Sequence, residues 1–546
     1  MRVSEFVGRT LAAFGVEYAF GVVGSGNFEV TNALRAAGVR YVAARHECGA
    51  ATMADAYARM SGSLGLVTTH QGCGLTNALT GITEAAKSRT PLIVLTADTA
   101  GAAVRSNFRI DQDALARSVG AVAERVHSAD SALTDTVRAC RAAVDERRTV
   151  VLNLPLDVQA ATVPDDLVDT PAPSVLPAQP VRPSEAAIAE LAIALRRSER
   201  PVFVAGRGAR HAGPELRELA ARTGALLATS AVANGLFVGD DYSLGISGGF
   251  ATPLAAELIS QADLIVGWGC ALNMWTMRHG TLIGPDAAVV QVDVEHGALG
   301  GHRPIDLGVL GDTRETAFAL LDEFGESVDG YRSASVRDRI ARESRWVDVA
   351  FDDLSTATTI DPRLLSRELD ALLPRERVVA IDSGNFMGYP SGYLSVPDEF
   401  GFCFTQAYQS IGLGLFTAIG AALAQPDRLP VAAVGDGGFL MSIAELETVV
   451  RLGLPMLIVV YDDAAYGAEV HHFGADTDLG TVTFPDADIA AIARGYGAAG
   501  ATVRRADDLG AVRDWLAGGP TGPLVVDAKI SSDGGAWWLA EAFRGH

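Results

Sequence analysis

Short, unbroken apolar runs alternate with helix-length stretches along most of the chain, and this restricts the fold more than any other feature. "LGLVTT" (64–69), "PLIVLTAD" (91–98) and "TVVLNLP" (149–155) place apolar side chains on successive residues, so both faces of each strand must be covered. Between them lie alanine-rich helical stretches such as "HECGAATMADAYARM" (46–60). The pattern predicts an α/β fold of three doubly wound domains with mostly parallel sheets. At 546 residues the chain is too long for one core, and about three domains are expected.

The first block spans residues 1–160. The proline-rich passage "VPDDLVDTPAPSVLPAQPVRP" (163–183) follows and reads as an extended inter-domain linker. A second α/β block covers 184–325. It opens with "GRGARHAG" (206–213), which has the look of a dinucleotide fingerprint but reads as a simple strand-to-helix turn. The charged stretch "VRDRIARESRWVDVAFDDL" (336–354) reads as a solvated helix leading into a third block, 355–530. The first and third blocks share an architecture, as a duplication would leave.

Several functions are disfavoured at this level. A net charge of -22 with no Lys/Arg block argues against nucleic-acid binding. Cys48, Cys73, Cys140, Cys270 and Cys403 form no C-x-x-C pair, which argues against a zinc site or a disulfide framework. No apolar run approaches the roughly 18 residues that span a bilayer. The opening "MRVSEFVGRTLAAFGVEYAFGV" reads as a helix entering a strand, without a signal-peptide pattern, so a cytoplasmic protein with no membrane partner is expected.

The strongest chemical signal is "VGDGGFLMSIAELETVVRLGLPMLIVVYDDAAYG" (434–467). A buried strand runs into Gly435, Asp436, Gly437 and Gly438, at the strand end where open sheets bind ligands. Glycines there let backbone N–H groups approach a phosphate. Asp436 would repel that phosphate unless a hard cation such as Mg²⁺ lay between them. Asp463 follows 27 residues later, one helix and one strand on, which returns it to the same sheet edge.

This segment resembles the signature of the thiamine diphosphate-dependent enzymes, G-D-G followed after about 25 residues by paired asparagines. The resemblance spans roughly residues 1–530 and implies a pyrimidine-binding, a middle and a diphosphate-binding domain. It implies Asp436, Asp463 and the carbonyl of Ala465 as Mg²⁺ ligands, with Tyr466 and Gly467 beside the cofactor. Asp462 and Asp463 stand where the family usually has asparagine, which leaves Asp462 without an assigned role. "RHECGAATMADAYARMSG" is similar to the family helix that begins with its activating acid. Glu47 is then the residue that hydrogen-bonds the aminopyrimidine ring and promotes loss of the thiazolium C2 proton, while the carbanion chemistry belongs to the cofactor. In "QSIGLGLFTAIGAAL", Ile411 matches the apolar fulcrum that bends the cofactor, and the carbonyl of Gln409 takes its amino group. "IDSGNFMGYP" resembles the diphosphate loop and adds Gly384 and Asn385.

Further residues bear on the reaction. Acetolactate synthases read T-S-G-P-G-A-T-N where this chain has "THQGCGLTN", so His70 replaces a small residue. Benzoylformate and pyruvate-type decarboxylases carry histidine in this loop. Ser25 in "GVVGSGNF" matches a benzoylformate decarboxylase serine, and Glu469 in "DDAAYGAEVHH" matches a pyruvate decarboxylase acid that handles a proton during turnover. Gln71, Arg109 and His471 are further substrate-contact candidates, whereas His279 is unassigned.

The resemblance implies a lyase or carboligase, acetolactate synthase-like. It would decarboxylate a 2-oxo acid and transfer the acyl-anion equivalent to an aldehyde or ketone acceptor, or release it. The alternative is a simple 2-oxo acid decarboxylase. Rival readings are a nucleotide-binding dehydrogenase, which leaves the acid spacing unexplained, and a non-catalytic subunit, which leaves Glu47 and Asp436 unexplained. Some relatives hold FAD in the middle domain, so a flavin-dependent variant stays open, although FAD is not predicted here. Family precedent puts the site between chains, making a homodimer the smallest active unit, alone or within a tetramer.

Overall fold

A computed structural model describes residues 1–170, 179–325, 327–474, 476–532 and 538. It contains three six-stranded sheets in which neighbouring strands run parallel. Strands such as Gly65–Thr69, Leu92–Asp98, Thr149–Pro155 and Leu457–Asp462 are buried along their whole length. Their unbroken apolar runs therefore face helices on both sides, and each Val, Leu or Ile so covered contributes about 1.5–3 kcal/mol.

Numbered in chain order, the strands of the first sheet lie 2-1-3-4-6-5, and those of the third sheet repeat that order. The middle sheet differs, lying 6-5-4-1-2-3, the dinucleotide-fold order read from the opposite edge. The architecture expected to be shared by the first and third blocks thus extends to strand order.

One apolar core is continuous from the first sheet to the third. Its centre is the crossing of helix Glu47–Ser61 with helix Gly414–Ala424. A Cβ on Gly420 would lie 2.2 Å from the Met53 carbonyl oxygen and 2.9 Å from Ala56 Cβ. Glycine is what lets these two backbones touch.

The middle domain has its own cores and is tied on by arginines. Arg207 donates to the Ser88 carbonyl, and Arg210 donates to the carbonyls of Arg59 and Phe402. Among the described residues no helix is long and apolar enough to cross a membrane.

Two local expectations are corrected. The bridging helix is shorter than its charge pattern suggests, covering Ala334–Glu343 with a 3-10 turn at Trp346–Asp348. Beyond it the Asp353 and Asp361 carboxylates accept backbone N–H groups of Ser355 and Leu354, which competes with helical bonding. Within the proline-rich passage, Asp165–Val168 forms a helical turn after Pro164, with two acids at its start. Pro171, Pro173 and Pro177 lie outside the described residues.

Replacing a helical glycine by alanine ordinarily stabilises by about 0.5–1 kcal/mol. At Gly420 the sign should reverse, because the methyl would meet a backbone carbonyl that cannot swing away. Gly420→Ala should cost about 1–3 kcal/mol of unfolding free energy, measured by urea denaturation.

Candidate active site

In parallel sheets all strand ends of one kind share an edge, and ligands collect where the strand order reverses. In the first sheet that reversal falls between strands Tyr18–Gly21 and Gly65–Thr69. Ser25 follows the first of these and His70 the second, while Glu47 follows the adjoining strand Arg40–Ala43. In the third sheet it falls between Arg377–Ile381 and Leu429–Gly435. Asp382–Asn385 follow the first, Asp436 the second, and Asp463 follows the next strand, Leu457–Asp462. The residues singled out in the sequence therefore gather at two equivalent places.

The first group is tightly interlocked. Asn77 Nδ2 donates to Glu47 Oε2 at 3.1 Å. His70 Nδ1 lies 2.9 Å from the Gln71 carbonyl, which can only accept, so this ring nitrogen carries a proton and in the neutral ring Nε2 is the one with the lone pair. That Nε2 stands 3.4 Å from Ser25 Oγ, and the Phe108 ring meets the imidazole edge-on at 4.9 Å. Gln71 is buried over Gly26, its Oε1 without a hydrogen-bond partner among the described residues.

The second group surrounds the Asp436 turn. Here the structure refines the reading: helix Asp436–Ser442 begins on the acid itself, so Gly437 and Gly438 form its first turn. Burial, reinforced by the Asp463 and Asp462 carboxylates, pushes Asp436 up to about 8. Burial, with Asp462 again adding to it, pushes Asp463 up to about 7. Three glycines let side chains close in: a Cβ on Gly438 would sit 2.2 Å from Asp382 Oδ2, one on Gly437 2.6 Å from the Tyr466 ring, and one on Gly467 2.3 Å from Asp463 Oδ2. Ala465 bridges to Thr483, with Tyr466 N donating to Val482 O and Phe484 N to Ala464 O. Glu469 and His471 are half-buried on helix Gly467–Phe473, which starts just beyond. Among the described residues no cluster of three His, Cys, Asp or Glu side chains makes a self-sufficient metal site. Two carboxylates and a carbonyl suit Mg²⁺, which keeps phosphate and water among its ligands.

The loop carrying Gln409 and Ile411 precedes helix Gly414–Ala424. Gln409 has φ +60°, and Ile411 is half-buried before helix Gly414–Ala424 instead of forming part of the core. Asp382 accepts the amides of Gly412 and Leu413 at 3.0 and 3.2 Å.

Asp462 acquires a role. Its Oδ2 pairs with Lys529 Nζ at 2.5 Å, and its Oδ1 accepts Ala464 N at 3.0 Å. Lys529 also reaches Asp486 at 2.6 Å and Asp527 at 3.1 Å. The extra acid is thus neutralised from the neighbouring strand, and it shapes the turn that carries Asp463. Sequence reasoning missed Lys529, Asp382 and Asn77. A lysine ending an apolar strand was the available signal for the first.

A cavity of about 720 Å³ lined by Asp98, Arg109, Asp111, Gln112, Arg125 and His127 opens at the carboxyl edge of the first sheet and adjoins the first group, since Gln112 Oε1 accepts Gly72 N at 2.8 Å. Arg125 is paired there with Asp98 at 2.7 Å. In the middle domain, Gly206 N donates to Trp268 O and Gly208 N to Gly269 O, so these two amides of "GRGARHAG" are spent on the neighbouring strand loop. That favours the turn over the dinucleotide cradle.

The thiamine pyrophosphate enzyme N-terminal TPP binding domain matches residues 1–116, the central domain 188–320, and the C-terminal TPP binding domain 382–528. The chain belongs to the thiamine pyrophosphate enzyme family. It is 30% identical to the probable 2-ketoarginine decarboxylase AruI of Pseudomonas aeruginosa, covering 95% of this chain and 92% of that protein. A sulfoacetaldehyde acetyltransferase of Alcaligenes xylosoxydans xylosoxydans is 28% identical over 93% of this chain and 89% of its own length. The acetolactate synthase isozyme 2 large subunit of Escherichia coli is 26% identical over 99% and 97%.

Removing Lys529 would strand Asp462 and Asp527 as uncompensated buried charges. Lys529→Met should cost about 3–5 kcal/mol in chemical denaturation. Adding Asp462→Asn should recover part of that loss, which the double-mutant cycle reads directly.

Proposed function

We propose that this family member is a Mg²⁺-dependent lyase or carboligase that decarboxylates a 2-oxo acid and passes the acyl-anion equivalent to an aldehyde or ketone, or releases it. The observation that carries the reading is the pairing of two half-sites at equivalent switch points, one bearing Glu47 and His70, the other Asp436 and Asp463. Similarity to an acetyltransferase, a decarboxylase and a synthase over nearly the whole chain supports the shared chemistry.

Asp436, Asp463 and the Ala465 carbonyl would hold Mg²⁺. Gly384, Asn385, Gly435, Gly437, Gly438, Tyr466 and Gly467 would flank the diphosphate, and the Gln409 carbonyl with Ile411 the pyrimidine end. Thiamine diphosphate, when bound, supplies the carbon acid that adds to the 2-oxo group and accepts the electrons left as CO₂ departs. Glu47, with Oε2 engaged by Asn77, keeps Oε1 for a proton shared with the pyrimidine. His70 Nε2, unprotonated in the neutral ring, and Ser25 Oγ can take and return a proton on the substrate side, with Glu469 as a further acid and Gln71 as a contact.

A simple decarboxylase is the second reading, favoured by the His70–Ser25 pair, which gives the product carbon a proton source. Within one chain, among the described residues, no hydrogen bond joins the Glu47 group to the Asp436 group. Exposed Val23, Phe28 and Phe108 near one, and Leu440, Met441 and Phe473 near the other, suit burial against a second copy. We therefore take a homodimer as the active unit, in the cytoplasm.

Mass spectrometry of products from a panel of 2-oxo acids, with and without acceptor aldehydes, tests the reaction. A chelator should abolish tight thiamine diphosphate binding, and unchanged affinity would overturn the metal assignment. Glu47→Gln should slow hydrogen–deuterium exchange at cofactor C2 by about 10²–10⁴-fold. His70→Ala should spare that exchange and instead slow turnover, measured as product formed per enzyme under saturating 2-oxo acid.

A further inference from the structure

Two buried carboxylates outside the residues assigned above make the same contact in opposite directions. Glu445, in the third domain, accepts the backbone amides of Arg45 and His46 at 2.8 and 2.9 Å on one oxygen. Its other oxygen accepts Thr448 Oγ1 at 2.6 Å. Those amides immediately precede Glu47. Glu84, in the first domain, accepts the amides of Ala407 and Tyr408 at 3.1 and 2.7 Å. Those amides immediately precede Gln409.

The two carboxylates occupy related places. Glu445 lies in the helical segment after the third strand of the third sheet, and Glu84 in the helix after the third strand of the first. Each belongs to one domain and fixes the residues just ahead of the other domain's candidate cofactor contact.

Glu84 is held firmly. Its side chain is fully buried, and it also accepts from Arg59 at 2.9 Å and Ser88 Oγ at 3.2 Å. Arg59 in turn pairs with Asp55 at 2.7 Å and donates to the Phe404 carbonyl at 3.0 Å. The loop beyond is exposed at Ala407, Tyr408 and Gln409. Gln409 there adopts φ +60°, a conformation a non-glycine residue keeps only when its surroundings over-determine it. Glu84 fixes the loop on one side of Gln409, and Asp382 fixes it on the other through Gly412 and Leu413.

We infer that Glu84 and Glu445 are reciprocal positioning residues, through which each domain of one chain sets the conformation of the other domain's cofactor-facing segment. The inference rests on the thiamine diphosphate reading for what the segments face, but the brace itself is independent of any ligand.

Hydrogen exchange on the cofactor-free full chain, followed by mass spectrometry of peptides over 403–411 and 43–48, reads the brace directly. Glu84→Gln keeps size but turns an N–H toward a donor that needs an acceptor. It should speed exchange at Ala407 and Tyr408 by about ten- to a hundredfold. Exchange in strand Leu457–Asp462 should not move. Glu445→Gln should do the same at Arg45 and His46. Either variant should raise the Kd for thiamine diphosphate with Mg²⁺ by about tenfold. Gln409→Gly in the Glu84→Gln background should recover part of the lost affinity, because glycine adopts φ +60° without the strain that the brace opposes. Should Glu84→Gln not fold, Glu445→Gln carries the test alone.

Unchanged exchange at the braced amides would overturn the inference, as would a uniform rise across the whole chain. Faster local exchange with unaltered cofactor affinity would overturn the positioning role while leaving the proposed function intact. A wild-type chain that binds no thiamine diphosphate would overturn the proposed function instead.

Discussion

Everything at the candidate site depends on one close crossing, helix Glu47–Ser61 against helix Gly414–Ala424. The first begins on the acid implicated in activating the cofactor, and the second begins just after the loop carrying Gln409 and Ile411. Because Gly420 has no side chain, the backbones meet at the Met53 carbonyl, and each helix start is fixed relative to the other domain. A bulkier residue at the crossing would displace both ends together. The continuous core around it spans two sheets of identical strand order, so the first and third domains behave as one packed unit.

Charge is the second organising constraint. The chain buries many carboxylates, and most are answered locally: Asp462 by Lys529, Asp55 and Glu84 by Arg59, Glu445 by two amides and a hydroxyl. Asp436 and Asp463 differ: burial pushes both up in pKa, with Asp463 and Asp462 adding to it at Asp436 and Asp462 at Asp463, and no cationic side chain among the described residues is paired with either. Uncompensated acids in an otherwise balanced interior are where a bound cation would be most stabilising. The contrast with Asp462, one residue away, makes the distinction sharp: Lys529 answers its charge, and no cationic side chain among the described residues is paired with Asp463.

The middle domain has a dinucleotide-type strand order and a glycine turn at its switch point, yet two amides of that turn are already bonded to the adjacent strand loop. The arginines of the same turn reach into the first and third domains. Fold and motif alone would suggest a nucleotide site, whereas the local hydrogen bonds make the turn a strut between domains.

The sequence by itself determined the fold class and the return of two widely spaced acids to one sheet edge. Periodicity reports burial, so apolar runs buried on both faces specify parallel strands, and the 27-residue interval between Asp436 and Asp463 returns both acids to one edge. It also made His70 stand out as an unusual residue in a glycine-rich loop. Only the tertiary structure decided which ring nitrogen of that histidine faces Ser25, because its contacts are with the Gln71 carbonyl and with a loop far away in the chain. The same holds for Asp462, whose partner Lys529 lies 67 residues away, and for Glu84, whose amide contacts are more than 300 residues distant. Local pattern encodes which face of an element is buried. Which charge meets which amide is set by how three sheets pack, and no short stretch of sequence contains that information.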